Sequence, residues 1–194
     1  MIGNKLSATI QTARLRLRKF LETDWKEVHE YASDPLVVRF MSWGPNTEEE
    51  TRAFIERCVA YQKEKPRTKY SLAMVIRHVN RLIGGCGIYL SNVENREAYI
   101  GYCLNQQYWD QGYATEAARA LLGLGFTKLN MHRIFATCDP ANSASARIME
   151  KIGMQYEGHL RENTTCRGAW SDSLLYAIID HEWKTCSPQG TART

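Results

Sequence analysis

The 194-residue chain is long enough for one domain with a true core, because a chain of about 150 residues already buries roughly 70% of its unfolded surface. It is 44% hydrophobic and 24% charged, with net charge +4 and a pI of 8.7, which falls short of the clustered basic footprint of a nucleic-acid module, where the domain pI exceeds about 9. Neither an apolar run of about 18 residues nor a signal-peptide core occurs, so no membrane association is expected, and a cytoplasmic location with reduced thiols is.

The stretch RLRLRKF, Arg14 to Phe20, alternates apolar and basic residues and predicts a half-buried strand. TDWKEVHEYASDP predicts a helix, with Thr23 or Asp24 as N-cap and Pro35 beyond its end. A second helix opens at Thr47, with Glu50 in capping-box spacing, and Phe54, Ile55, Cys58, Val59 and Tyr61 give it one apolar stripe. The basic run KEKPRTK that follows reads as a solvated loop, or as a weak attractor of an anionic ligand. YSLAMVIR and RLIGGCGIYL predict a hairpin turning at His78–Asn80, and Gly84, Gly85 and Gly87 in its second strand point to a bulge or a close backbone approach. AYIGYCL, Ala98 to Leu104, is another strand, which leads through the turn DQGYA into a helix starting at about Ala114. RIFATCD is a strand, the helix NSASARIMEKIGM runs from its cap Asn142 to near Gly153, and YEGHLRENTT and SLLYAIID are the last strands. Residues 1–184 are expected to form the single domain and residues 185–194, ending SPQGTART, a flexible tail.

The order β-α-α-β-β-β-α-β-α-β-β implies a mixed α/β (α+β) fold. Its central sheet has about seven strands, mostly antiparallel, with helices on both faces and one right-handed parallel β-α-β crossover. The six cysteines include no CxxC pair, so neither a zinc nor a thioredoxin motif is present, and no metal is expected. Cys86, Cys103 and Cys138 lie in strands, where cysteine acts as a small hydrophobe.

The crossover holds the candidate site. A helix beginning near Ala114 aims its free N–H groups and the positive end of its dipole at the turn Gln111-Gly112-Tyr113. Gly112 removes a blocking Cβ, Ala114 keeps the second position small, and Thr115 offers a hydroxyl, a set suited to a phosphate or pyrophosphate. It is neither a Walker loop nor a GxGxxG fingerprint, and simple turn chemistry accounts for it equally well. A second strand-to-helix junction about thirty residues on, with Asn142 and Ser145, ends on the same side of the sheet, where α/β proteins place ligands.

IGYCLNQQYWDQGYATEA, then MHRIFATCDPANSASARIMEKIGMQYEGHLRE and DSLLYAIIDHEW, resemble GNAT-type N-acetyltransferases, and within them the RimJ/RimL branch of ribosomal-protein N-terminal acetyltransferases. The resemblance runs from about Thr12 to Trp183. It implies the GNAT fold, a splay between two central strands for the pantetheine arm of acetyl-CoA, and the signature Gln/Arg-x-x-Gly-x-Gly/Ala, which Gly112 and Ala114 match while Trp109 holds the first position. It further implies that the main chain at Tyr102, Cys103 and Leu104 binds the pantetheine amides, that the amides of Gln111, Gly112, Tyr113, Ala114 and Thr115 hold the pyrophosphate, and that Asn142 meets the pantetheine arm or simply caps its helix.

Ser145 corresponds to a serine placed near the thioester sulfur in RimL-like enzymes, whereas Met149 stands where many relatives carry a tyrosine acid. The amine must lose a proton, and Glu97 or Glu162, acting through water, are the candidate bases. Glu116 and Glu157 read as structural, and Trp43, between the first two helices, as a candidate wall for the acceptor. The expected reaction is direct acetyl transfer from acetyl-CoA to a protein α-amino group. The alternatives are a small-molecule amine (polyamine, amino sugar or antibiotic) as acceptor, or a non-catalytic acyl-CoA sensor. By analogy with the family, the last strands imply a possible homodimer.

Overall fold

The computed structural model describes residues 9–186. Its eight strands are β1 (Ile10–Gln11), β2 (Leu15–Lys19), β3 (Lys69–Ile76), β4 (Arg81–Asn92), β5 (Glu97–Leu104), β6 (Arg133–Cys138), β7 (Gln155–Cys166) and β8 (Ala169–Ile179). Its five helices are α1 (Trp25–Ala32), α2 (Glu48–Tyr61), α3 (Tyr113–Thr127), α4 (Ser143–Lys151) and α5 (Asp180–Cys186). Seven strands coincide with the periodic segments. The eighth, β1, spans two residues, too few to show any period. Positions 185 and 186, expected to open a tail, belong to α5, and the remaining tail positions, 187–194, lie outside the described residues.

All strands form one sheet in the order β1-β2-β3-β4-β5-β6-β8-β7. Every pairing is antiparallel except β5 with β6. Alternation sends Ile100, Tyr102 and Leu104 to one face, against Ala117, Leu121 and Met149 of α3 and α4. It sends Cys103, with Ala73, Val75 and Leu82, to the other, against Val28, Ile55 and Cys58 of α1 and α2. The sheet therefore carries two cores.

Local signals behave as their chemistry dictates. The Thr47 hydroxyl accepts from the Glu50 N–H at 3.2 Å and the Glu50 carboxylate from the Thr47 N–H at 2.8 Å, a complete capping box. Asp24 stands at the N-cap of α1 but makes no side-chain cap bond. Its carboxylate instead accepts from Arg18 at 2.6 and 2.8 Å and from the Leu21 N–H at 2.8 Å, which ties the end of β2 to the start of α1.

The feature that positions the site is the β5–β6 pair. Its register covers only Glu97–Tyr99 against Arg133–Phe135. Beyond Tyr99 the two strands part, β5 continuing to Leu104 against β4 alone and β6 to Cys138 against β8 alone. The glycines of β4 support this half of β5. A Cβ on Gly84 would lie 2.3 Å from the Cys103 carbonyl oxygen, and the β3–β4 register slips at Met74/Val75 beside it. Gly84→Ala should lower unfolding free energy by about 1–3 kcal/mol, as overpacking does. A reduced urea midpoint at an unchanged m-value would show it.

Candidate active site

The turn between β5 and α3 is built around Gly112, the N-cap of α3, which sits in the left-handed region at φ 79°. The first helix-internal donor there is the Glu116 N–H, bonded to the Gly112 carbonyl at 3.0 Å. Among the described residues, the amides of Gln111, Gly112, Tyr113, Ala114 and Thr115 find no acceptor, so five unbonded donors fall in one stretch at the positive end of a 15-residue helix.

Residues distant in sequence hold that turn. Glu116 accepts from the Thr12 hydroxyl at 2.6 Å, the Arg14 N–H at 2.8 Å and Arg14 Nε at 2.7 Å. Arg14 also donates to the Gln111 carbonyl at 2.9 Å and lies 4.3 Å over the Tyr113 ring. Partial burial pushes the Glu116 carboxyl up, but the bonds from Thr12 and Arg14 outweigh it and hold the group below the ordinary range. The Trp109 indole donates to the Leu104 carbonyl at 2.8 Å and so closes the end of β5.

The opening between the parted strands is crossed by one polar contact that local sequence patterns miss. Tyr102, on the free half of β5, places its hydroxyl 3.0 Å from Ser145 Oγ and 3.3 Å from the Ser145 carbonyl, in the first turn of α4. Asn142 caps that turn by accepting from the Ser145 N–H at 3.1 Å. Burial pushes the Tyr102 phenol up to about 12, with the Ser145 bond pulling the other way. Period-two alternation in AYIGYCL sets Tyr102 beside Ile100 and Leu104, the only sequence signal that points to its side chain.

The other candidates lie apart. Glu97 sits at the paired end of β5, where its carboxylate accepts from Ser91 at 2.9 Å and Arg133 at 3.2 Å. Arg133 also grips Glu157 at 2.7 and 2.6 Å and holds its carboxyl below the usual range. Glu162 lies on the outer strand β7, at φ 47°, inside a register shift, and its N–H donates to Asp172 at 2.8 Å. Trp43 is 38% exposed in the α1–α2 loop, and the tip of the β7–β8 hairpin reaches that loop through Arg167 to the Val38 carbonyl at 3.1 Å. On the α1–α2 side of the sheet runs an aromatic row, in which Tyr99 stacks on Tyr89 at 5.0 Å and lies tilted against Phe135 at 5.7 Å.

The Acetyltransferase (GNAT) domain family matches residues 14–155. The chain belongs to this family. It is an acetyl-CoA-dependent N-acetyltransferase of the GNAT type. It is 38% identical over 174 residues to YnaD of Bacillus subtilis, an uncharacterized N-acetyltransferase, covering 90% of this chain and 98% of that protein. The crystal structure of a GNAT-family acetyltransferase from Bacillus anthracis superposes with a TM-score of 0.80 at 36% identity, over 90% of this chain and 99% of that one. Spermidine N(1)-acetyltransferase of Escherichia coli is 25% identical over 169 residues, covering 87% of this chain and 88% of that protein. RimL, a ribosomal L7/L12 α-N-protein acetyltransferase solved with coenzyme A, shares the fold at 22% identity and a TM-score of 0.76, over 89% of this chain and 99% of that one.

The residues of this GNAT acetyltransferase fit acetyl-CoA. The unbonded amides of the Gly112 turn suit a pyrophosphate, and the edge of β5 beyond Tyr99, which has no strand beside it, suits an amide-bearing arm, although Cys103 pairs with Gly85 of β4 and the Leu104 carbonyl is taken by Trp109. Among the described residues, no cluster of three or more His, Cys, Asp or Glu could hold a metal ion, and no helix is long and apolar enough to cross a membrane.

Two outcomes test this site. Gly112→Glu should weaken coenzyme A binding at least tenfold in a calorimetric titration, because it sets bulk and negative charge against the open amides. Glu116→Gln should cost about 1–2 kcal/mol at pH 7. Because folding depresses the Glu116 pKa, its contribution is present above the unfolded value of about 4.3 and is lost as pH falls through the lower folded one. The Tm gap between parent and variant should therefore shrink from about pH 4.5 downward.

Proposed function

We propose that this acetyltransferase moves the acetyl group directly from acetyl-CoA to the α-amino group of a protein N-terminus, in the cytoplasm. The observation that carries the acceptor reading is the row Tyr89–Tyr99–Phe135, open to solvent at Tyr99, whose neighbouring carboxylates Glu97 and Glu157 are both committed to Arg133. A polyamine with several positive charges asks for free carboxylates. A single amine at the end of a peptide asks only for an open approach, and Trp43, exposed in the α1–α2 loop, would add an apolar wall. RimL is the similar protein with that acceptor, and the spermidine enzyme represents the competing one.

Direct transfer is favoured by the state of the thiols. Burial pushes Cys103 up to about 12 and Cys138 to about 11, so both stay protonated and neither offers a thiolate to carry the acetyl group. The amide edge of β5 would bind the pantetheine arm, and a β5 N–H would stabilise the oxyanion that forms on the thioester carbonyl. Glu97 lies at the paired end of β5 and Glu162 on the outer strand, so either would act on the amine proton through water rather than by contact.

A thiol-release assay over an amine panel tests the acceptor. Peptides with free N-termini and varied first residues should give kcat/KM at least tenfold above spermidine and aminoglycosides, and the same peptides with blocked N-termini should give no signal. The reverse order would assign a small amine instead.

A further inference from the structure

We infer that Gly101 is the port through which the acceptor amine reaches the thioester, and that the missing side chain there sets how bulky the amine-bearing carbon can be. The inference rests on acetyl-CoA lying between the parted strands, as under the proposed function, and applies to a peptide or a small-amine acceptor alike.

Glycine weakens a strand interior, and it stands there where a bulge forms or where another backbone or a ligand comes close. The other strand glycines among the described residues have such a reason inside the fold. A Cβ on Gly84 would strike the Cys103 carbonyl oxygen, and one on Gly87 the Tyr89 hydroxyl. A Cβ on Gly85 would lie 3.2 Å from both Phe20 Cζ and the Tyr31 hydroxyl. Gly158 stands at a register shift between β7 and β8. Gly101 has none of these reasons. Its Cβ would meet no atom within 4 Å, its backbone lies outside the left-handed region, and it pairs with Gly87 in regular register. What remains is a ligand.

The open space lies where the reaction needs it. β6 pairs with β5 only as far as Tyr99, so Gly101 is the first position past the parting whose side chain would point to the α1–α2 face. Its neighbours on that face, Tyr99 and Cys103, both carry side chains, and across the sheet the Tyr89 hydroxyl lies over Gly87. On the opposite face Ile100, Tyr102 and Leu104 pack into the core under α3 and α4, so that face is filled. An attacking nitrogen must come within about 3–3.5 Å of a carbonyl held at the β5 edge. The gap at Gly101 leaves that approach clear. An amine on a branched carbon, as in a peptide that begins with alanine, takes up more of the gap than an amine on a CH2, as in one that begins with glycine.

The test uses the full chain, acetyl-CoA and an amine it acetylates. Gly101→Ala should lower kcat/KM for the acceptor about 10-fold, and Gly101→Val about 100-fold, the range for added carbons in a fitted site. Coenzyme A affinity should stay within about threefold of the parent in both. Tm should be unchanged or a few degrees higher in Gly101→Ala, because the new methyl meets nothing and stiffens the unfolded chain. The loss in Gly101→Ala should be at least threefold greater for an acceptor branched at the amine-bearing carbon than for its unbranched counterpart.

A kcat/KM within twofold of the parent in both variants would overturn the inference. So would an equal loss for branched and unbranched acceptors. A fall in coenzyme A affinity as large as the fall in kcat/KM would also overturn it, by putting the pantetheine arm rather than the amine at Gly101. If Gly101→Val does not fold, Gly101→Ala decides the matter. A small amine preferred over peptides would change the proposed acceptor and leave the port standing, and unchanged coenzyme A binding in Gly112→Glu would sink the placement of the cofactor, so the three failures are distinct.

Discussion

Two neighbouring parallel strands that stop hydrogen-bonding halfway along their length leave a row of backbone donors and acceptors without strand partners. That is the constraint on which the rest of this structure depends. An unpaired buried backbone group costs about 1–3 kcal/mol, so such an edge persists only where water or a polar ligand satisfies it. Here the edge runs from Ile100 to Leu104, whose carbonyl Trp109 takes, and a short turn then carries the chain to the open amides around Gly112. An extended arm bearing amides and ending in a pyrophosphate matches that sequence of groups, and acetyl-CoA has that form.

Keeping the strands apart requires rigid supports on both sides. β4 stays close to β5 because Gly84 removes a Cβ that would strike the Cys103 carbonyl. α3 lies close over the sheet because Gly125 leaves room for Ile88 and Ile134, whose terminal carbons a Cβ would meet at 2.7 and 2.4 Å. Glu116 fastens the first turn of α3 to Thr12 and Arg14, and Trp109 closes the end of β5. The Tyr102–Ser145 contact then spans the opening from wall to wall.

The two faces of the sheet divide the work. The α3–α4 face carries the continuous apolar core and the Gly112 turn. The α1–α2 face is covered over β2–β4 and open over β5 and β6, where Tyr99 and Phe135 lie beside a network in which Arg133 pairs with both Glu97 and Glu157. One guanidinium thus holds two carboxylates on this face, a pairing that a count of acidic residues does not reveal.

The sequence by itself determined the elements and the kind of turn. Capping at Thr47 and Asn142, the alternation in seven strands and the glycine at 112 are all short-range chemistry, carried by residues within a few positions of one another. The RimL-like motifs added the family, which the comparisons bear out at the level of GNAT. The tertiary structure decided what those motifs could not: that Glu116 serves Arg14, 102 positions away, that Tyr102 meets Ser145, 43 positions away, and that Glu97 is taken by Arg133. It also supplied β1 and α5, one too short to show a period and the other read as strand end and tail. The reason is range. Propensity and periodicity act along the chain, whereas a contact across two parted strands exists only once both walls have been folded into place.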